Sequence, residues 1–521
     1  MKILLAIPAT IFLPAGPAYV ASALIAAGHQ VTGYLYTAAN QFAEFLRSAD
    51  FDLVAAGGMC TKFNEIKSIV DLSHAAGLRV IVGGNIVSAE PEIMTRALGN
   101  DWTVIGQGET ATVELVTAIE CPLLHQNIPH IPGLAFVRAG EYVQTPPRTG
   151  IKDLDAVLFP NYEIFDLNGI LDAMRPSDRY EICVFDHPRE YSLVSSRSCN
   201  FHCSFCWHLE HQRTVRRTVS NIMDEIRIVV PKYRINILSI IDDLFSLHES
   251  FLLDFCREFK AYRATVPWDI VWFCQLHVRG VNARILDAIK DAGCYLISYG
   301  YESYSQTVLD SMGKHITPDM IDFATRQSGA RGMTILTHFI FSDRAETVAT
   351  ARATLDYWER WQEYGIFIHS LFLYPKSSDY LYAIEKGLIK DRLHHMQTGL
   401  DDSINITKMT DNEYFGLTIR ILKLNILHVH YGTLLHRTHD SLAGACPFCS
   451  HISRWSNYAT KPWFKVKVIC KHCHKMFWLS HPFYLAICKL IARLTPEAAW
   501  VYSIYQAVRH AKNWLRKTLA P

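Results

Sequence analysis

The stretch Cys199-Asn-Phe-His-Cys203-Ser-Phe-Cys206 constrains this chain more than any other. Three thiols stand at spacings of four and three, with Phe205 just ahead of the last. Thiolates so close on one loop can hold three irons of a cubane cluster and leave the fourth without a protein ligand. Ferredoxin loops place a fourth cysteine nearby, whereas here the next one, Cys256, is fifty residues on. The open iron is a place for a substrate or cosubstrate. A zinc site, which normally wants four ligands, and three incidental buried thiols are the other readings.

A second set of thiols has a different logic. Cys446-Pro-Phe-Cys449 and Cys470-Lys-His-Cys473 are two C-x2-C knuckles twenty residues apart, the pattern of a four-thiolate zinc ribbon. Four cysteines close the coordination sphere, so the expected role is structural. A second iron–sulfur cluster is the alternative, and His472 and His474 lie beside the ligands without being needed. Fourteen cysteines in 521 residues do not form a secreted disulfide framework. Two metal-spaced clusters point to a reducing cytosol.

A chain of this length holds two to four domains. Ahead of the cysteine loop, short apolar runs alternate with helical stretches. Lys2–Ile7, Val31–Tyr36, Phe51–Ala56, Arg79–Val82 and Trp102–Ile105 read as strands, with helices over Pro17–Ala27 and Asn64–Ala76. Strand and helix repeated this way predict an α/β, doubly wound, Rossmann-like domain over residues 1–145. Gly57-Gly58, Gly83-Gly84 and Gly106-Gln-Gly108-Glu109 fall just after three strand ends, where backbone can approach a bulky ligand. The uncharged stretch from Leu4 to Gly28 invites a leader or membrane reading, but Pro8, Pro14 and Pro17 cut it into pieces too short to span.

After a linker (146–184) comes a second βα series over 185–400. Asn221–Val229 and Arg284–Asp291 read as helices; Ile235–Ile241, Trp268–Gln275, Tyr295–Tyr299, Met333–Phe341 and Phe367–Tyr374 read as strands. With the strand before the cysteine loop this makes a partial (β/α)6 barrel of the TIM type, whose reactive groups gather at the C-terminal strand ends. Those ends carry Asp242-Asp243-Leu-Phe245 and Gly300-Tyr-Glu302-Ser303. A carboxylate there can hold an ammonium or a vicinal diol, or cap the following helix. Dense aromatics near the loop, among them Phe201, Phe205 and Trp207, read partly as core and partly as a wall against water.

The C-x3-C-x2-C loop with Phe205, entered by Tyr191-Ser-Leu-Val-Ser-Ser-Arg-Ser198, resembles the signature of the radical S-adenosylmethionine (SAM) enzymes. In that family Cys199, Cys203 and Cys206 would hold a 4Fe-4S cluster whose open iron chelates SAM, and reductive SAM cleavage starts radical chemistry. The resemblance places Phe205, Asp242, Asp243, Glu302 and Ser303 at SAM. Ser342 and Lys376 stand where the family commonly has glycine. The first domain resembles the cobalamin (B12)-binding domain that precedes many radical SAM domains, which implies cobalamin on Gly57, Gly58, Gly83, Gly84, Gly106, Gly108 and Glu109. The D-x-H-x-x-G motif of a cobalt-ligating histidine is absent: Asp71-Leu-Ser-His74-Ala-Ala-Gly77 has one residue too many, and His74 reads as a helix-face residue.

The remainder divides into a helical closing segment (401–440, with Asp401–Ile426 helical), the zinc-ribbon-like four-cysteine module (441–480) and a basic amphipathic tail (481–521) broken near Pro496. From Ser441 onward there are twelve Lys/Arg and one acid, Glu497, although the whole chain is only +1. A basic region of this kind suits an acidic partner (a phosphate-bearing substrate, nucleic acid or an anionic membrane) or is a solvated face. The tail reads first as a docked core helix and second as an interfacial membrane helix, which would make a cytoplasmic protein peripherally membrane-bound. The resemblance implies a cobalamin-dependent radical SAM methyltransferase acting on a small-molecule or carrier-bound substrate, fed by an electron donor such as a flavodoxin or ferredoxin. A B12-dependent radical rearrangement or cyclisation enzyme without methyl transfer is the runner-up. A nucleic-acid-binding module built on residues 441–521 is a reading from another class.

Overall fold

Apolar runs closed by glycine are what a parallel strand buried on both faces requires, and the start of the chain forms them. The computed structural model describes residues 1–207, 213–400, 404–461 and 464–518. Lys2–Pro8 (β1), Gln30–Tyr36 (β2), Leu53–Gly57 (β3), Arg79–Gly83 (β4) and Trp102–Val104 (β5) are parallel, in the order β2-β1-β3-β4-β5. The stretch from Leu4 to Gly28 is therefore most of β1 followed by the helix Ala15–Ala26. An antiparallel hairpin, Leu134–Arg138 (β6) and Glu141–Gln144 (β7), extends the sheet past β5. Strand order reverses between β1 and β3, which opens a crevice at the carboxyl edge.

The second sheet is built from Glu190–Leu193 (β8), Ile237–Ile240, Val271–Leu276, Cys294–Glu302, Thr334–Phe341 and Gly365–Ser370. Between the first two lies a short antiparallel pair, Ser196–Arg197 (β9) and Val215–Arg216 (β10), that flanks the cysteine loop. With the later strands numbered β11 to β15 in chain order, the sheet runs β15-β14-β13-β12-β11-β8, all parallel, as an open half-barrel. Its outer face packs Trp272, Ile297, Tyr299, Tyr301, Phe339 and Ile368 against the helices in one large core. Of the dense aromatics near the loop, Phe245, Trp272, Tyr299 and Tyr301 belong here; Phe201, Phe205, Trp207 and Phe273 do not.

The closing helix is shorter than expected. It spans Asp411–Leu427, because Thr410 caps Glu413 and the Glu413 carboxylate accepts from the Thr410 backbone N–H at 2.8 Å. Such a reciprocal box fixes a helix start. Of the ten residues assigned to the helix ahead of it, Ile404–Thr410 are not helical and Asp401–Ser403 lie outside the described residues.

The four-cysteine module is a ribbon of Thr433–Arg437 (β16), Leu442–Ala445 (β17), Ile452–Trp455 (β18), Lys465–Ile469 (β19) and Met476–Ser480 (β20). It is not a separate body. Trp455, Phe464, Phe477 and Leu479 form one core with Tyr295, Leu296 and Leu336, and Phe273 and Phe367 pack against it. Period-two alternation puts Phe273, Leu296, Leu336 and Phe367 on the concave face of the half-barrel. The ribbon therefore fills the barrel floor, and Trp455 Nε1 donates to the Cys183 carbonyl at 2.9 Å. Two further helices, Pro482–Leu494 and Ala499–Thr518, break around Pro496 as expected and pack on the closing helix.

The two large domains are clasped at Glu90, which is buried ahead of the helix Pro91–Leu98. Tyr380 donates to its carboxylate at 2.9 Å and Arg392 Nε at 3.0 Å. Beside the clasp, Met396 and Leu400 from the second domain enter the core of the first. Removing Glu90 strands a phenol and a guanidinium that is still partly hydrated. Glu90→Ala is expected to lower stability by about 1–2 kcal/mol and to speed proteolysis between the domains, read by denaturant melts and limited digestion.

A candidate two-cavity active site

Both sheets aim their carboxyl ends at one region, and each end opens a cavity. The first, about 630 Å³, lies over the edge of β1, β3, β4 and β5. All three glycine pairs and Glu109 line it, as the sequence predicted. A Cβ on Gly57 would meet the Gly83 carbonyl at 2.6 Å, so the two loops can lie this close only with glycine at 57. Gly84 holds φ +90°, a conformation side chains resist. The cavity wall is largely apolar and backbone, which fits a large, flat, mostly apolar cofactor such as a corrin. His74 is elsewhere: it sits at the far end of its helix, 3.0 Å from Asp101.

The barrel closes this cavity. Val194 and Arg197 complete the lining, and Arg197 Nη2 pairs with Glu109 Oε1 at 2.6 Å while its guanidinium lies over Tyr19. Glu109 is thus on the cavity wall but already engaged by a cation from the strand that enters the cysteine loop. Arg197 carried no signal in the sequence beyond its place in that strand.

The second cavity, about 650 Å³, lies over the half-barrel. Cys199, Cys203, Cys206, Phe205, Asp242, Asp243 and Glu302 all line it. Among the described residues on its wall there is no fourth cysteine. Three soft donors converging on a hollow fit an iron–sulfur cluster with one open corner. The Cys203 thiol is drawn below its ordinary pKa by its hydrogen bond with Cys206, against burial, and Lys314 adds to the pull.

The loop has no regular structure, so its shape comes from outside. The Ser204 N–H donates to Met312 O at 2.9 Å, its hydroxyl donates to buried Asp379 at 2.8 Å, and the Asp379 N–H returns to Ser204 O at 3.1 Å. At the loop's entry Asp242 accepts from the Ser195 N–H at 2.7 Å, from the Ser196 hydroxyl at 2.9 Å, and from the Ser195 hydroxyl. Burial pushes the Asp242 carboxyl up to about 6 against these bonds. Asp242 therefore braces the loop, and the member of the pair exposed on the cavity wall is Asp243.

Glu302 pairs with Lys314 Nζ at 2.8 Å, with both side chains buried. Burial opposes charge on Lys314, but Glu302 and the Cys203 and Cys206 thiols outweigh it and raise its pKa. A Cβ on Gly300 would collide with both partners, which explains the glycine in Gly300-Tyr-Glu302. Ser303, expected at SAM, is not brought to the cavity: it is buried with its hydroxyl 3.2 Å from Thr354 Oγ1. Residues the sequence did not single out also line the wall, namely Gln275, His277, Lys314 and His369. Phe201 stacks on His277 at 4.3 Å. His369 Nε2 lies 3.0 Å from His338 Nδ1, and burial lowers both imidazoles, His338 to about 4, so the pair is neutral at pH 7. The Trp207 Nε1 donor on this wall has no partner among the described residues. Carboxylates, an ammonium and this orphan donor on one aromatic-walled cavity suit a polar nucleoside such as SAM.

Met59 and Asn85 line both cavities. Asn85 follows Gly84, and its side-chain Oδ1 accepts from the Cys60 N–H at 3.2 Å. The two hollows are thus separated by a wall these residues share.

The four ribbon cysteines bring their sulfurs within 4.8 Å of one another; Cys446–Cys473 and Cys449–Cys470 are each 3.7 Å apart. A tetrahedron with bonds of about 2.3 Å has edges of about 3.8 Å. The geometry fits one tetrahedral ion directly.

Comparison with known proteins agrees with both halves. A B12 binding domain model matches residues 1–116 and a radical SAM superfamily model residues 193–357. An uncharacterized methyltransferase of Pyrococcus horikoshii is 25% identical over 414 residues, 76% of this chain and 85% of that protein. The anaerobic magnesium-protoporphyrin IX monomethyl ester cyclase of Rubrivivax gelatinosus is 26% identical over 275 residues, but the match takes in only 45% of its length. Among solved structures, the radical SAM methyltransferase TsrM from Kitasatospora setae, with cobalamin and a [4Fe-4S] cluster bound, superposes with a TM-score of 0.61 over 74% of this chain and 75% of that one, at 18% identity. The cobalamin-dependent radical enzyme OxsB, with aqua-cobalamin and SAM bound, gives 0.57 over 78% of this chain and 58% of its own, also at 18%. At these identities the likeness to the solved structures is one of fold.

Ser342 and Lys376, noted above as standing in place of glycine, both have positive φ, +95° and +71°. The backbone at the barrel rim thus keeps the glycine conformation without the glycine. Ser342 is buried, and its N–H donates to Glu346 at 3.0 Å. Ser342→Gly is expected to stabilise the protein by about 1 kcal/mol, and Ser342→Val to destabilise it by more than that, both read in chemical denaturation.

Proposed function

From its place among the radical SAM enzymes that carry a B12-binding domain, we propose that this chain methylates an unactivated carbon of a substrate held where its two cavities meet. The shared wall of Met59 and Asn85 is the observation that carries the reading. When bound, the cluster and SAM would supply a radical able to take hydrogen from that carbon, and cobalamin the methyl group that replaces it. Everything else falls to the chain's own residues.

Cys199, Cys203 and Cys206 would hold three irons, and Asp242 and Asp379 fix the loop that presents them. Asp243 and Glu302 would face the amine and ribose of SAM, with Lys314 paired to Glu302 and orienting it. Phe201, Phe205 and Trp207 keep water from the cavity, which a reactive carbon radical requires. Gly57, Gly58, Gly83, Gly84, Gly106 and Gly108 would let backbone approach a corrin, and the Glu109–Arg197 pair ties the barrel to that cavity's wall. Reducing equivalents would come from a small electron carrier of the flavodoxin or ferredoxin kind, in a reducing compartment. The substrate is a small or carrier-bound molecule that shares the second cavity with SAM.

We assign zinc to Cys446, Cys449, Cys470 and Cys473. The 3.7 Å sulfur pairs favour a single ion over an iron–sulfur cluster, whose several metals would spread the thiolates.

The runner-up, ring formation without methyl transfer, is favoured by the match to the cyclase of Rubrivivax gelatinosus. Product mass separates the two: methylation adds one CH₂ unit, and a product lacking it would overturn the proposal.

Cys203→Ala is expected to lower the iron content of anaerobically reconstituted protein and to reduce SAM cleavage to background. Retained cleavage would remove Cys203 from the cluster. Chelation is expected to release one zinc per chain, and Cys446→Ser to abolish that zinc, each loosening the barrel floor by about 3 kcal/mol or more while the iron absorption persists. Loss of the iron signal with chelation would reverse the ribbon assignment.

A further inference from the structure

The last two helices are amphipathic in the wrong sense for a protein surface. On Pro482–Leu494, the apolar Phe483, Ile487, Leu490, Ile491 and Leu494 recur at helical spacing, and every one is exposed, Leu494 by 73%. On Ala499–Thr518, Trp500, Ile504 and Val508 do the same, at 60%, 56% and 62%. A docked helix normally turns its apolar stripe inward and its charges outward. Here the inward contacts are partly polar. Among the described side chains of the pair Ala492 and Tyr502 are buried, Tyr502 stacks on Phe415 at 4.7 Å, and Lys423 Nζ donates to Thr495 O at 2.9 Å.

Docking by one face thus fixes the pair in place and leaves exposed apolar residues on both helices, the Trp500 indole and the Tyr505 phenol among them. An exposed apolar face of this extent needs a cover. No helix among the described residues is long and apolar enough to cross a membrane, so the cover does not come from insertion across a bilayer.

Charge selects the cover. Residues 481–521 contain six Lys/Arg (Lys489, Arg493, Arg509, Lys512, Arg516, Lys517) and one acid, Glu497. Glu497 is neutralised inward by Lys423 at 3.0 Å. A second copy docking through the same patch would set two strongly cationic segments against each other, as a two-fold interface demands. A surface that is apolar inside and anionic at its rim has the complementary profile.

We propose that these two helices seat the enzyme on the surface of an anionic lipid bilayer, with their apolar faces at the headgroup–acyl boundary and the positive charge of the segment, beyond Lys489 which lies over Tyr431, drawing it to anionic headgroups. The inference goes beyond the chemistry proposed above and does not depend on it.

The test uses the full-length holoprotein and sedimentation with vesicles of phosphatidylcholine alone or mixed with phosphatidylglycerol. Binding is expected to the mixed vesicles, weakly if at all to phosphatidylcholine, and to fall as salt rises. Leu490→Glu with Ile504→Glu is expected to weaken partitioning by roughly a hundred-fold while iron and corrin content and the circular dichroism spectrum stay unchanged. Should the double variant fold poorly, added salt and brominated-lipid quenching of tryptophan in the native chain test the same contact. Failure to sediment with anionic vesicles at low salt, or binding untouched by the double substitution, would overturn the proposal. So would a stable dimer, seen by light scattering, that the same substitution dissociates, since a second copy would then be the cover.

Discussion

A loop of three thiols has no hydrogen-bond ladder to hold it, so its shape must be imposed by groups that cannot move. Two buried carboxylates do this here. Asp242 gathers the backbone and hydroxyls of Ser195 and Ser196 where the chain enters, and Asp379 ties down Ser204 between the second and third cysteines. Both are desolvated, and burial raises the pKa of both. A buried carboxylate is costly unless fully hydrogen-bonded, and each bond returns about 1 kcal/mol in addition to fixing direction. At Asp242 the expected ligand contact and the observed brace compete for the same oxygens, and the brace holds them.

The same contrast marks what was legible in the sequence. The parallel strands of both sheets were readable, because apolar runs ended by glycine or acid have few other uses. The ligand-facing strand ends followed from them: the glycines over the first cavity and Asp243 and Glu302 over the second stand where spacing put them. Partners fixed only by tertiary packing were not readable. Lys314 is a lone lysine in a turn, and nothing local says that it will be buried against Glu302. Arg197 and His369 find Glu109 and His338 across the fold. Ser303 follows the strand's last residue, Glu302, whose positive φ turns the chain so that the Ser303 hydroxyl meets Thr354 instead. The closing helix was over-extended although its capping box, Thr410 to Glu413, was present in the sequence.

Two sheets with their carboxyl edges face to face solve a problem that one sheet cannot. A radical and the group that quenches it must be close, yet their cofactors are large and need separate cradles. The first sheet offers backbone and apolar wall, the second thiols and charge, and Met59 and Asn85 line both cradles. Small errors in docking would misplace this wall, which gives the Glu90 clasp and the Glu109–Arg197 pair a functional reason. Both tie residues of the first domain to elements adjoining the cysteine loop or the barrel rim.

An open half-barrel has a further weakness, since its concave face would otherwise be wet from below. The ribbon answers it by placing Trp455, Phe477 and Leu479 under Phe273, Leu296 and Phe367. Lys467 of the ribbon lies over the Phe367 ring, and burial drives its pKa well down. A closed set of four thiolates leaves an ion no open coordination position, so an ion there can act only through geometry. Its effect on chemistry is then indirect but definite. Holding the ribbon in the barrel keeps water from the neutral His338–His369 pair, and through it from the floor of the cavity where a radical must survive.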